Sequence, residues 1–184
     1  MIKALAFIHK KNGMSDTDFR NYYETSHAPL ATSLLTFEGY ERNFINSHLN
    51  THFKSLGSIS IFKYSSIEAL NVIGEEMASD KGDILREDEL NFMDVPKNFY
   101  VLTESKELTE RIYKKKIFFI AKSKNLVNFL DSHIALEKIS DNIIIEPKDI
   151  FSISEYGILE SMTSDMLEKI YSKHKEILFT ASVS

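Results

Sequence analysis

The hydrophobic pattern changes period several times along the chain. Residues 2–10 are apolar on both faces, with Ile2, Ala4, Ala6 and Ile8 against Leu5 and Phe7. That predicts a strand covered on both sides. After the turn Lys11-Asn12-Gly13, Phe19, Tyr22, Tyr23, Ser26, His27 and Leu30 recur at helical spacing and form one face of an amphipathic helix over 15–30. Ser15 and Asp18 have the spacing of a capping box at its start. Pro29 does not suit a helix interior, so the helix kinks or ends near His27 and resumes over 30–35.

Strands are predicted over 40–45 and 58–64, the latter alternating cleanly over its first four residues, with a polar loop between them. Ser65 and Glu68 open a helix running to Met77. A break over 79–83, a helical piece over 84–93 and a strand over 99–104 follow. The order β-α-β-β-α-β is that of a ferredoxin-like unit. Beyond a charged connector over 105–115 the same order repeats. Strands are expected over 116–122, 142–146, 150–159 and 179–183, with helices over 125–139 and 164–178. The expected fold class is α+β, with two ferredoxin-like units in tandem, 1–105 and 106–184. Each unit leaves one sheet face bare, and pressing the two faces together closes a barrel within one chain.

Composition narrows the function. A net charge of −5 argues against a nucleic-acid partner, which needs a basic face. Without cysteine, disulfides and thiolate metal sites are excluded. The N-terminal apolar run is too short to span a membrane, and no small-residue cleavage pattern follows it, so a soluble cytoplasmic protein is expected. No P-loop, dinucleotide fingerprint or nucleophile elbow occurs. His48 and His52 stand four apart, yet no Glu lies between them and no third ligand is evident, so no metal site is assigned. His9, His133 and His174 read as ordinary.

Two tyrosine hydroxyls and an imidazole on an apolar helix face need hydrogen bonds or a ligand. Phe19-Arg20-Asn21-Tyr22-Tyr23 followed by His27-Ala28-Pro29-Leu30 resembles the signature helix of EthD-type proteins, of the dimeric α+β barrel superfamily. Gly39-Tyr40-Glu41-Arg42-Asn43-Phe44 is similar to that family's entry into its second strand, and Asp88-Glu89-Leu90-Asn91-Phe92-Met93-Asp94 to its acidic-aromatic segment. The resemblance spans roughly the first 105 residues. The second half shows no counterpart of Tyr22, Tyr23 and Pro29, which points to one functional cleft.

The resemblance implies a cofactor-free enzyme of cyclase, isomerase or monooxygenase type, acting on a small apolar carbonyl or aromatic compound. In that reading His27 abstracts a proton and Tyr22 or Tyr23 steadies the oxyanion. Arg42 and Asp88 position substrate or base, with Phe19 and Phe92 on the substrate side. The alternative is a non-catalytic small-molecule binding or stress-response barrel. A third reading has the motif helix filling its own cleft, with His27 a core histidine bonded to Tyr22 or a backbone carbonyl. Arg42 pairs with Asp88 or Glu24. A monomer and a homodimer are both compatible with the pattern.

Overall fold

The computed structural model describes residues 1–45, 54–121, 135–146, 152–173 and 178–183. Strand β1 spans Ile2–His9, and the motif helix follows in three pieces. These are α1 (Asp16–Tyr22), a π-helical turn (Tyr23–His27) and α2 (Ala28–Leu34). Next come β2 (Gly39–Ile45), β3 (Leu56–Tyr64), α3 (Ile67–Met77), α4 (Asp80–Phe92) and β4 (Phe99–Glu107). The second half contributes β5 (Lys115–Ala121), β6 (Leu136–Glu146), β7 (Ser152–Ile158), α5 (Ser164–Lys173) and β8 (Leu178–Val183).

The strands close an antiparallel barrel in the order β1-β3-β2-β8-β5-β7-β6-β4. Neighbours within the first half run β4-β1-β3-β2, and those within the second run β6-β7-β5-β8. The halves join at two seams, β2 with β8 and β4 with β6. Because side chains alternate across each strand, one set points into the barrel and the other meets helices or solvent. Leu5, Phe7, Ile59, Ile61, Val101, Phe118 and Ile153 fill the interior. On the outside, Phe19, Tyr23, Ala28 and Phe92 of the helical layer pack on Ile8 and Phe44 of the strands.

One end of the interior is charged. Lys3 Nζ lies 2.7 Å from Glu155 Oε1 and 2.9 Å from Glu107 Oε1. Lys116 Nζ lies 2.6 Å from Glu41 Oε1 and 3.5 Å from Glu155 Oε2. Lys3 and Glu155 are each 1% exposed, so neither is stable there as an unpaired ion. Burial pushes the Glu155 carboxyl up, but Lys3 and Lys116 outweigh it and hold it below the ordinary carboxylate value.

Several boundaries differ from the sequence-based expectation. The cap before α3 is Ser66, whose hydroxyl accepts the Ala69 N–H at 3.3 Å, one residue beyond the predicted Ser65. The expected break over 79–83 shrinks to a corner, because Ser79 caps α4 directly. A Cβ on Gly82 would sit 2.0 Å from the Met77 carbonyl oxygen, so the α3–α4 corner closes only on glycine. The helix expected over 125–139 lies partly outside the described residues, and its last four residues are already strand β6. The predicted helix over 164–178 stops at Lys173 among the described residues, and Leu178 begins β8. Strand β4 runs three residues past the expected 104.

Two stability changes follow. Gly82→Ala is expected to destabilise by about 1–3 kcal/mol by chemical denaturation, because the backbone of Met77 cannot yield as a side chain would. Lys3→Met leaves the buried Glu155 carboxylate with Lys116, at 3.5 Å, as its one close cation and is expected to cost about 3 kcal/mol. The Glu155 contribution is present above its ordinary pKa of 4.5 and lost as pH falls below it. The penalty of Lys3→Met therefore shrinks in acid, and a pH-independent penalty would contradict the assignment.

Candidate functional site

The site begins with a helix that changes pitch. Ser15 caps α1 as the spacing predicts, accepting the Asp18 N–H at 3.1 Å and donating to Asp18 Oδ2 at 2.6 Å. Proline at position 29 has no N–H to give and crowds the carbonyl four residues back. The chain answers with the π-helical turn over Tyr23–His27, where the Ala28 N–H reaches the Tyr23 carbonyl. The kink expected near His27 is this wider turn. It leaves Tyr23 and His27 on the buried side, 1% and 5% exposed.

His27 Nδ1 faces Asp88 Oδ2 on α4 at 2.7 Å. The other carboxylate oxygen accepts a bond from the Tyr22 hydroxyl at 2.7 Å, and Asn91 donates to that hydroxyl at 3.1 Å. A carboxylate only accepts, so the proton of neutral His27 sits on Nδ1 and the Nε2 lone pair is left available. Among the described residues Nε2 has no hydrogen-bond partner. The ring stands 4.9 Å from that of Phe92 and 5.0 Å from that of Tyr23. Burial lowers the imidazole pKa below 6.5, with Asp88 opposing but not overcoming it. His27 is therefore neutral at pH 7.

Tyr23 is held differently. Its hydroxyl pairs with Ser60 Oγ at 2.8 Å and accepts from Tyr40 at 2.9 Å, and Ser60 meets Ser58 at 3.0 Å. Burial raises the pKa of Tyr23, and that of Tyr40 further. Phe19 and Phe92 complete the aromatic layer, with ring centroids 5.5 Å apart. Arg42 takes Glu24, not Asp88, through two bonds of 3.1 Å, and lies over the Tyr40 ring at 5.0 Å.

The structure thus brings His27, Asp88, Tyr22, Tyr23, Phe19 and Phe92 into one layer and sets Arg42 at its edge. Two cavities flank the motif helix. One of about 530 Å³ is lined by Phe19, Arg20, Glu24, Phe44 and Gly57 among others, and one of about 410 Å³ by Glu24, Ala28, Pro29, Thr32, Ser33 and Arg42. His27 lines neither. The sequence reading missed Tyr40, Ser58, Ser60 and Asn91. Clean alternation in 58–64 marks the serines as the polar face of a strand, whereas both are fully buried under Tyr23. His48, His52, His133 and His174 lie outside the described residues. Among the described residues no group of three or more His, Asp or Glu is arranged to hold a metal, and no helix is long and apolar enough to cross a membrane.

In comparisons with known proteins, residues 11–96 match the EthD domain model. A crystal structure of a monooxygenase-like protein from Lactobacillus acidophilus NCFM aligns with a TM-score of 0.52 and 10% identity, covering 99% of this chain and 93% of that one. An ethyl tert-butyl ether (EthD) family protein from Bacillus halodurans C-125 aligns at 18% identity and a TM-score of 0.42, covering 56% of this chain and 97% of that one. No curated protein matches the sequence. The likeness to the Lactobacillus structure speaks for the fold alone, an α+β barrel. The EthD match over residues 11–96, a little under half of the chain, takes in the motif helix, β2 and the segment that carries Asp88 and Phe92.

Proposed function

We propose that the protein acts on a small carbonyl or phenolic compound, with His27 as a general base. The observation that carries this is the His27–Asp88 pair. It fixes the tautomer and leaves Nε2 to take a proton, while burial, against the pull of Asp88, keeps the imidazole neutral near pH 7. When Nε2 accepts a proton from carbon beside a carbonyl, the electron pair moves onto oxygen as an enolate. The imidazolium keeps its Nδ1–H and donates it as a hydrogen bond to the Asp88 carboxylate, whose charge stabilises it. For Tyr22 to serve the oxyanion its one hydroxyl proton would have to turn from Asp88, while the Tyr23 hydroxyl is held by two partners, Ser60 and Tyr40. Arg42 and Glu24 border the 410 Å³ cavity and would bind substrate there.

The tandem ferredoxin-like reading, with units 1–105 and 106–184, belongs to the same proposal. It is supported by the strand orders, since each half runs fourth-first-third-second from one edge. Both units then lie in one compartment, for which we propose the cytoplasm, and the closed sheet needs no second copy.

One observation favours a second reading, non-catalytic binding. The Tyr22 and Tyr23 hydroxyls are satisfied within the protein and His27 is 5% exposed. A ligand could rest in the flanking cavities without touching the imidazole.

Deuterium exchange at carbon, followed by proton NMR over a panel of cyclic ketones and dihydroxyphenols, separates the two. Catalysed exchange that falls about 10²–10⁴-fold in His27→Gln is expected for a general base. Exchange undiminished in that variant would refute the role, and binding without exchange would favour the second reading. Titration of His27 by NMR is expected to give a midpoint below 6.5. Asp88→Asn is expected to lower it further, because the carboxylate is what raises it; an unchanged or higher midpoint would contradict the pairing.

A further inference from the structure

The charged end of the barrel opens into a third cavity, of about 420 Å³, on which the proposed chemistry of His27 makes no demand. Lys116 and Glu41 line it, and through Lys116 they join the deeper ion cluster of Glu155 and Lys3. Its walls include Lys63, Glu107 and Ile139, and the connector between β4 and β5 crosses above it with Thr109, Glu110, Arg111, Ile112 and Tyr113.

Three features make this a built site. Lys116 on the cavity wall and the Lys3 and Glu155 groups behind it are nearly inaccessible, at 5%, 1% and 1% exposed. Ions held this deep are weak contributors to stability compared with apolar residues of the same volume, so stability does not account for them. Lys63 lies on the inward face of β3, in register with Lys3. Its ammonium has no carboxylate within ion-pair distance among the described residues. Tyr113 is 5% exposed, and its buried hydroxyl makes no hydrogen bond of good geometry, with the Glu137 carboxylate beside it. A Cβ on Gly157 would lie 2.3 Å from the Tyr113 ring, so the ring is seated directly on the β7 backbone. Burial and the Glu137 carboxylate push the phenol up to about 12, so it remains a donor at neutral pH.

Charge balance selects the ligand. Glu41, Glu107 and Glu110 line the cavity against Lys63, Arg111 and Lys116. A lone anion would meet the carboxylates and a lone cation the ammonium groups, while a molecule carrying both charges meets each with its opposite. A volume near 420 Å³ is in the range of small-molecule pockets. We infer that the barrel mouth binds a small zwitterion of α-amino-acid type. Its carboxylate is held by Lys63 and the Tyr113 hydroxyl, and its ammonium by Glu107 and Glu110.

The test uses the full chain, uniformly labelled with nitrogen-15, and each standard α-amino acid at about 10 mM, tenfold above a millimolar Kd. At least one is expected to shift the backbone amide signals of Ile112, Tyr113 and Gly157. Its deaminated and decarboxylated counterparts are each expected to bind at least about tenfold more weakly. Lys63→Met is expected to weaken the amino acid about tenfold or more while leaving the decarboxylated amine unchanged, and Tyr113→Phe to weaken it several-fold. His27→Gln is expected to bind as the wild type does, which separates this site from the one proposed for catalysis. The inference is overturned if no amino acid shifts those amides. It is also overturned if Lys63→Met, shown folded by its amide spectrum, binds as tightly as wild type, or if a single-charge counterpart binds equally well.

Discussion

A buried imidazole facing a half-buried carboxylate across 2.7 Å ties the helical layer together. It joins two elements far apart in the chain, the π-helical turn and α4, and each must be placed by its own local cause. Pro29 forces the wider turn that swings His27 inward. Gly82 allows the tight corner that brings α4, and with it Asp88, against the motif helix. Were either element displaced, the imidazole would sit in an apolar layer without a partner, at the cost of an unsatisfied buried polar group. The aromatic rings of Tyr23 and Phe92 then set its dielectric surroundings and so its charge state.

The barrel supports that layer and separates two kinds of chemistry. On its outside, between strands and helices, the polar groups are hydroxyls, one imidazole and the Asp88 carboxylate, with the Arg42–Glu24 pair at the edge. Inside, at one end, they are full charges that balance in pairs. The same strand alternation serves both: on β3, Ser58 and Ser60 point to the helices, while Ile59, Ile61 and Lys63 point inward. A one-residue slip would exchange these sets, so both environments hold β3 in register.

Much of the first half was legible because its signals are local. Capping by Ser15, the helical stripe from Phe19 to Leu30 and the disruption at Pro29 each act within a few residues. Asp88 was legible as a partner of His27 only as one alternative, since nothing in the spacing of residues 27 and 88 selects it over Glu24 for Arg42. The buried serines were hidden because alternation reports polarity, and a serine satisfied by a tyrosine hydroxyl looks like one satisfied by water. Lys3 was hidden in the same way: within an otherwise apolar strand it reads as an exception, and its partner Glu155 is 152 residues away. The second half was read less well because Leu136–Ile139 suits a helix or a strand, and pairing with β7 decides between them.

The most direct test of the account is the tautomer of His27 at pH 7, read from the nitrogen-15 shifts and long-range couplings of its ring. A proton on Nδ1 and a bare Nε2 are predicted, as the Asp88 acceptor requires. A proton on Nε2, or a fully protonated ring at that pH, would contradict the central claim that Asp88 holds a neutral base ready to act.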